Sequence, residues 1–214
     1  MNRQVFTIGH SSREFAQMLA LLRQHGITAL GDVRSQPYSR RYPQFSREPL
    51  EKRLKEAGVH YVFLGRELGA RSDDPSCYEN GIVRYERLAK TELFQSGLDR
   101  VERGMASQRL ALLCAEKEPL NCHRFALVSR ELARRGVSVL HILDDGCAEP
   151  HEETVSRMLR SLRLEEPDLF RTYDEIVASA YRLHGEKIAY VRDESEERDT
   201  ANVRGEARPE DHEA

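Results

Sequence analysis

The chain has 214 residues, 39 % of them hydrophobic and 32 % charged, with a formal charge of −3. That length suits one α/β domain with a sizeable core and is short for two. No run approaches the roughly 18 to 20 apolar residues of a membrane span, so no membrane partner is expected. Met1 leads through Asn2, Arg3 and Gln4 directly into the strand-like Val5 to Ile8, without the apolar stretch of a secretory leader. Four cysteines in that setting read as core residues, ligands or nucleophiles of a reducing compartment, and the expected location is the cytoplasm. The charge is uneven: Val191 to Ala214 holds nine acidic residues against four arginines, −5, and the rest of the chain carries +2. A near-neutral folded part does not advertise bulk nucleic-acid affinity, although a local basic patch can supply it.

In chain order, Val5 to Gly9 predicts a first strand. Ser11 to Gln24 predicts a helix with Phe15, Met18, Leu19 and Leu22 on one face and Ser11 with Glu14 as a capping box. Ala29 to Val33 is a second strand, followed by a polar loop from Arg34 to Phe45 and a helix from about Ser46 to Ala57. Tyr61 to Leu64 belongs to a third strand, Arg66 to Gly81 is a long excursion, and Val83 to Met105 is helical with a possible break near Ser96-Gly97. Leu110 to Ala115 is a fourth strand, Cys122 to Arg134 a helix capped by Asn121, and Val137 to Leu143 a fifth strand. Thr154 to Leu162 and Tyr173 to Leu183 predict covering helices.

A glycine closes a helix just before a β-rich run three times, at Gly26, Gly58 and Gly136. Glycine suits the left-handed position at a helix end, and such short connections belong to βαβ units. The expected fold is therefore a single α/β domain over residues 1–190, with a mainly parallel central sheet flanked by helices in Rossmann-like or flavodoxin-like layering. An acidic disordered tail over 191–214 follows, too polar to offset the entropy of ordering.

In an open parallel sheet the crevice lies beyond the carboxyl ends of the strands. The unusual polar residues fall there: His10 and Ser11 after the first strand, Asp32 and Arg34 after the second, Cys114 and Glu116 after the fourth, and Cys122, His123 and Arg124 at the next helix. A helix amino terminus favours an anion and lowers a cysteine pKa, so Cys122 is a candidate nucleophile with His123 or His10 as acid and base. Cys114 joins these as a catalytic candidate. The competing reading buries Cys114 and Cys122 as small apolar residues. A third use is a metal, zinc or iron, on Cys114, Cys122 and His123 with His10 or His141 as a further ligand, although the spacing fits no standard zinc motif. A Cys114–Cys122 disulfide is a lesser alternative.

The Arg34 to Phe45 loop interleaves arginines with aromatics. Arg34, Arg40 and Arg41 can grip phosphate while Tyr38 stacks on a base, or the loop is simply solvated and pinned by its aromatics. Arg124, Ser11, Asp32 and Glu116 complete the candidate binding set. Asp32 and Arg34 can equally form a buried ion pair, and His141 inside an apolar strand reads as a core histidine. Cys77 and Cys147 take no role.

With Thr7-Ile8-Gly9-His10-Ser11, Asp32-Val33-Arg34 followed by Pro37 and Ser39, and Cys114-Ala115-Glu116-Lys117 followed by Cys122-His123-Arg124, the chain resembles the domain-of-unknown-function 488 family from about Val5 to Tyr190. The resemblance implies an α/β domain whose cysteines and adjoining His-Arg form a site, and it supplies no reaction. From the residues, the expected function is an enzyme acting on a phosphate-bearing ligand, a nucleotide or a nucleic acid. The alternatives are a non-catalytic nucleotide or nucleic-acid binding module and a metalloprotein.

Overall fold

Strands buried on both faces read as unbroken apolar runs, and the strand at the middle of this sheet, Leu110–Cys114, does so. The computed structural model describes residues 3–166 and 169–192. In chain order the elements are β1 (Gln4–Gly9), α1 (Phe15–Gln24), β2 (Ala29–Asp32), α2 (Arg47–Glu56), β3 (His60–Phe63), α3 (Gly65–Leu68), β4 (Tyr78–Glu79) and β5 (Ile82–Val83). There follow α4 (Tyr85–Leu88), α5 (Glu92–Met105), β6 (Leu110–Cys114), a π-helical turn (Arg124–Ser129) running into α6 (Arg130–Arg134), β7 (Ser138–Ile142), β8 (Ala148–Pro150), α7 (His151–Ser161) and α8 (Tyr173–Ile188).

The sheet order is β3-β2-β6-β1-β7-β8. The first five strands are parallel, and β8 adds an antiparallel edge against β7. Every residue of β2 and β6 is buried. One face packs Phe6, Ile8, Leu30 and Leu113 against α1 and α2, including Phe15, Met18, Leu22, Leu50 and Leu54. The other packs Val5, Leu110, Leu112 and Cys114 against α5, the π turn and α8. The expected α/β layering with a mainly parallel sheet is therefore present. Gly26, Gly58 and Gly136 all take positive φ, between 62° and 77°, as the helix-ending role requires.

Several boundaries differ from the sequence expectation. α1 begins at Phe15 because Ser11 sits at φ 50°, and Glu14 with Gln17, not Ser11 with Glu14, forms the reciprocal cap. The break between α4 and α5 falls at Ala89 to Thr91, where the Thr91 hydroxyl accepts from the Phe94 N–H at 3.2 Å. Gly97 lies inside α5 and lets it approach α3, since a Cβ there would stand 2.7 Å from the Glu67 side chain. The 66–81 excursion folds as α3, a short 3₁₀ turn and the β4–β5 hairpin, whose Asn80 and Gly81 both have positive φ. The tail expected beyond the domain lies, from residue 193, outside the described residues. Val191 bridges Ile82, and Arg192 packs over the Tyr78 ring at 3.9 Å.

Behind the sheet a buried polar chain ties β1, β7, α7 and α8 together. Thr7 Oγ1 meets His141 Nδ1 at 2.8 Å, His141 Nε2 meets His151 Nδ1 at 3.1 Å, and His151 Nε2 meets the Tyr181 hydroxyl at 2.8 Å. Burial lowers the His151 pKa from 6.5 to about 4. Between those two values the unfolded chain binds a proton that the folded chain refuses, so stability is full above about pH 6.5 and falls on acidification. Urea unfolding midpoints at pH 7, 6 and 5 should drop progressively, with up to about 1.4 kcal/mol per pH unit from this residue, and His151→Gln should make the slope shallower, leaving the share of the other buried histidines, His10 and His141, whose pKa values are also lowered.

Candidate functional site

The carboxyl ends of β1, β2 and β6 are brought level by the register, with Gly9 beside Cys114 and Asp32 beside Leu113. Backbone pairing continues past the strands: the His10 N–H donates to the Cys114 carbonyl at 3.0 Å and the Ser11 N–H to the Ala115 carbonyl at 2.8 Å. Under the loop that leaves β6 lies Arg124, 0 % exposed. Its Nη1 donates to the Glu116 carbonyl and its Nη2 to the Lys117 carbonyl at 2.9 Å. Gly9 makes the space for this, since a Cβ there would meet the Glu116 carbonyl oxygen at 1.8 Å.

On that loop and the turn after it sits a cluster of sulfur, nitrogen and carboxylate. The Cys114 and Cys122 thiols each donate to Glu116 Oε2 at 3.0 Å. His123 Nε2 lies 3.1 Å from the Val33 carbonyl. A carbonyl can only accept, so Nε2 carries the proton, and in the neutral ring Nδ1 keeps a lone pair 3.5 Å from Cys114 Sγ. The two sulfurs and the His123 nitrogen all fall within 4.8 Å of one another. Cys114 is 2 % and Cys122 1 % exposed, but their sulfurs face polar partners rather than dry packing.

The electrostatics follow from that crowding. Burial pushes the Cys122 thiol well above its ordinary range, with Arg124 pulling the other way. Burial also opposes charge on His123, yet its interactions with Cys122 and Glu116 carry its pKa upward. Burial works to raise Glu116 as well, and the thiol hydrogen bonds override it and lower the carboxyl.

A second polar group adjoins the first. Arg34 grips Asp32 through Nε at 2.9 Å and Nη2 at 2.6 Å, and the Tyr61 hydroxyl donates to Asp32 Oδ2 at 2.8 Å. Nη2 also donates to the Phe45 carbonyl at 2.9 Å, and Nη1 lies 3.2 Å from His10 Nε2. Since guanidinium only donates, His10 Nε2 accepts and Nδ1–H is bonded to the Ser11 carbonyl at 2.9 Å. Burial and Arg34 together lower the His10 pKa to about 4. His10 is neutral near pH 7, stacked on Phe45 with its ring centroid 4.5 Å away, and both its nitrogens are engaged.

A cavity of about 360 Å³ opens over these groups, lined by Cys114, Glu116, His123, Arg34 and Tyr38 among others. Ser11 lines a different hollow with Arg13, Lys117 and Asp144. Arg40 and Arg41 are exposed and line neither. Asp32 stands behind Arg34, and Arg124 stands beneath the loop. The helix expected to start at Cys122 with an Asn121 cap starts at Arg124 instead. Asn121 closes a 3₁₀ turn, and the first N–H groups are taken by Cys122: Arg124 donates to its Sγ at 3.4 Å, Phe125 and Ala126 to its carbonyl. Neither His10 nor His141 joins the sulfur cluster, because both rings are fully bonded elsewhere. Sequence reasoning brought Asn121 to this mouth but missed other lining residues, Tyr85, Arg71 and Tyr190 among them. Tyr85 was hidden in a helical pattern in which an aromatic reads as core.

Fold and site together define a parallel α/β protein with a sulfur, imidazole and carboxylate cluster at the carboxyl ends of its central strands. The family described as "Domain of unknown function DUF488" matches residues 14–130. That is more than half of the chain and includes Cys114, Glu116, Cys122 and His123, and the chain belongs to this family. No curated protein and no solved structure matches it. No helix among the described residues is long and apolar enough to cross a membrane.

Arg124 is fully buried and holds two loop carbonyls, so its loss leaves those part-buried acceptors without a donor. Arg124→Met should cost about 2 kcal/mol in urea unfolding, with two part-buried acceptors left without their donor. An unchanged midpoint would show that the loop needs no such clamp.

Proposed function

We propose that this protein is a metal-dependent enzyme whose ion, zinc or ferrous iron, is held by Cys114 Sγ, Cys122 Sγ and His123 Nδ1 at the floor of the cavity. The observation that carries the reading is the mutual approach of those three donor atoms within 4.8 Å, with His123 oriented by its bond to the Val33 carbonyl. A metal-bound histidine characteristically donates its other N–H to such an acceptor. Two thiolates and an imidazole suit zinc or iron, and three protein ligands leave a fourth position for water or substrate, as catalytic sites do.

Glu116, 3.0 Å from both sulfurs, would stand beside a bound ion, where its carboxylate could serve as the acid–base group for the water activation such an ion supplies. A Cys/Cys/His metal set with a glutamate two residues beyond one ligand is a working arrangement for adding water to a ring carbon of a nucleobase. The substrate class proposed is a phosphate-bearing molecule of nucleotide size, with Tyr38 offering a stacking face, and Arg34 together with Arg71, which lies over the Tyr190 ring at 4.3 Å, offering donors at the cavity wall. Arg124 is assigned to positioning the loop, and His10 to positioning Arg34.

A cysteine nucleophile paired with His123 is the rival reading, favoured by the 3.5 Å approach of Cys114 Sγ to Nδ1. It is disfavoured by Glu116, whose carboxylate beside both sulfurs opposes a bare thiolate that a divalent cation would stabilise. A non-catalytic binding module would rest on Arg40 and Arg41, which stand outside the cavity.

Anaerobic purification of the untagged protein followed by elemental analysis should find about one zinc or iron per chain. Cys114→Ser and Cys122→Ser should each lose most of it, while Glu116→Gln retains it. Wild-type protein that stays metal-free after incubation with either ion would overturn the reading.

A further inference from the structure

Tyr85 opens α4 and lines the same cavity as Cys114, Glu116 and His123. The residue is only 5 % exposed, with its ring packed against Gly185 of α8, where an added Cβ would lie 3.3 Å from the ring edge. Its hydroxyl has no hydrogen-bond partner among the described residues, and it is not among the polar atoms sealed from solvent. What remains accessible of this tyrosine therefore includes an unused donor opening into the cavity. Burial first, and then the nearness of Cys122, Cys114 and Glu116, pushes its pKa up, so the hydroxyl keeps its proton and stays a donor.

The other buried tyrosine and threonine hydroxyls are used, while Ser129 Oγ is sealed without a partner among the described residues, away from this cavity. Tyr61 is bonded to Asp32, Tyr181 to His151 and Thr7 to His141. Tyr85 differs from them in keeping its donor open to the cavity, where a ligand oxygen can take it. Arg34 adds a second free donor in the same wall. Four of its five N–H groups have acceptors in Asp32, Phe45 and His10, and one on Nη1 has none among the described residues.

We infer that the Tyr85 hydroxyl is a ligand-binding donor of this cavity, giving a hydrogen bond to a carbonyl or phosphoryl oxygen of a molecule whose neighbouring atom occupies the open metal position. The inference rests on the metal reading and deepens it. Tyr85 selects for an acceptor oxygen beside the reacting centre, and a ligand lacking that oxygen leaves the donor buried and unpaired.

Two probes separate the two kinds of oxygen: acetohydroxamate, which presents a carbonyl, and inorganic phosphate. Each is titrated calorimetrically into zinc-loaded wild-type protein and zinc-loaded Tyr85→Phe, with zinc content and melting temperature measured on both. Phenylalanine keeps the ring against Gly185, so both proteins should hold equal zinc and melt alike. At least one probe should bind the wild type and bind Tyr85→Phe about tenfold more weakly, the loss expected of one hydrogen bond to a buried donor. Equal affinities, or no binding of either probe to zinc-loaded wild type, would overturn the assignment of Tyr85 while leaving the metal centre standing. Failure of the wild type to take up zinc or iron would overturn the metal reading and this inference with it.

Discussion

A guanidinium sealed from water needs acceptors, and Arg124 finds two in the carbonyls of Glu116 and Lys117, its Nε keeping none among the described residues. That pairing turns the loop after β6 back over the sheet end and fixes where Glu116 points. Gly9 is the counterpart on β1, because the space a side chain would fill holds the Glu116 carbonyl and the Arg124 Nη1. With the loop clamped, Cys114 at the end of one strand and Cys122 before the π turn share a single carboxylate oxygen. The widened turn then carries His123 across to the carbonyl of Val33, just past β2. Three strand ends are thus locked to one another by side chains of one short segment.

The second group, Asp32 with Arg34, Tyr61 and His10, forms the neighbouring wall. Its members neutralise one another: the ion pair is bidentate, the tyrosine donates to the carboxylate, and His10 offers Arg34 a lone pair. Such a network rigidifies a cavity wall at little net gain in stability, since desolvating the charges offsets most of their attraction. The division of labour follows. One group is paired within itself save a single Arg34 N–H and holds shape, while the cavity floor keeps donors and acceptors for something not of this chain.

The sequence was legible where local chemistry decides the outcome. Apolar runs of the right length marked the central strands, and Gly26, Gly58 and Gly136 marked helix ends because each needs a left-handed backbone. The crevice rule located Cys114, Glu116 and His123 at one mouth, because strand ends and the residues just beyond them are fixed by the chain's own periodicity. Elsewhere the decision belonged to tertiary contacts. Arg124 beside Cys122 invites an anion on paper, and only the fold reveals that backbone carbonyls have claimed it. Ser11 follows β1 and Asp32 ends β2, with β6 between the two strands, and they face different surroundings: Ser11 lines the second hollow, whereas Asp32 is buried behind Arg34. The β4–β5 hairpin did carry a local signal in Asn80-Gly81, outweighed in the reading by the polar residues around it. β8 carried none, being three residues ending in a proline at a sheet edge.

The account stands or falls on whether two sulfurs and one imidazole nitrogen bind the same ion. X-ray absorption at the metal edge of the zinc-loaded protein measures that directly. The account predicts two sulfur scatterers at about 2.3 Å and one nitrogen at about 2.0 Å, with one light atom completing a four-coordinate shell. A first shell of oxygen and nitrogen alone, with no sulfur at bonding distance, would contradict it.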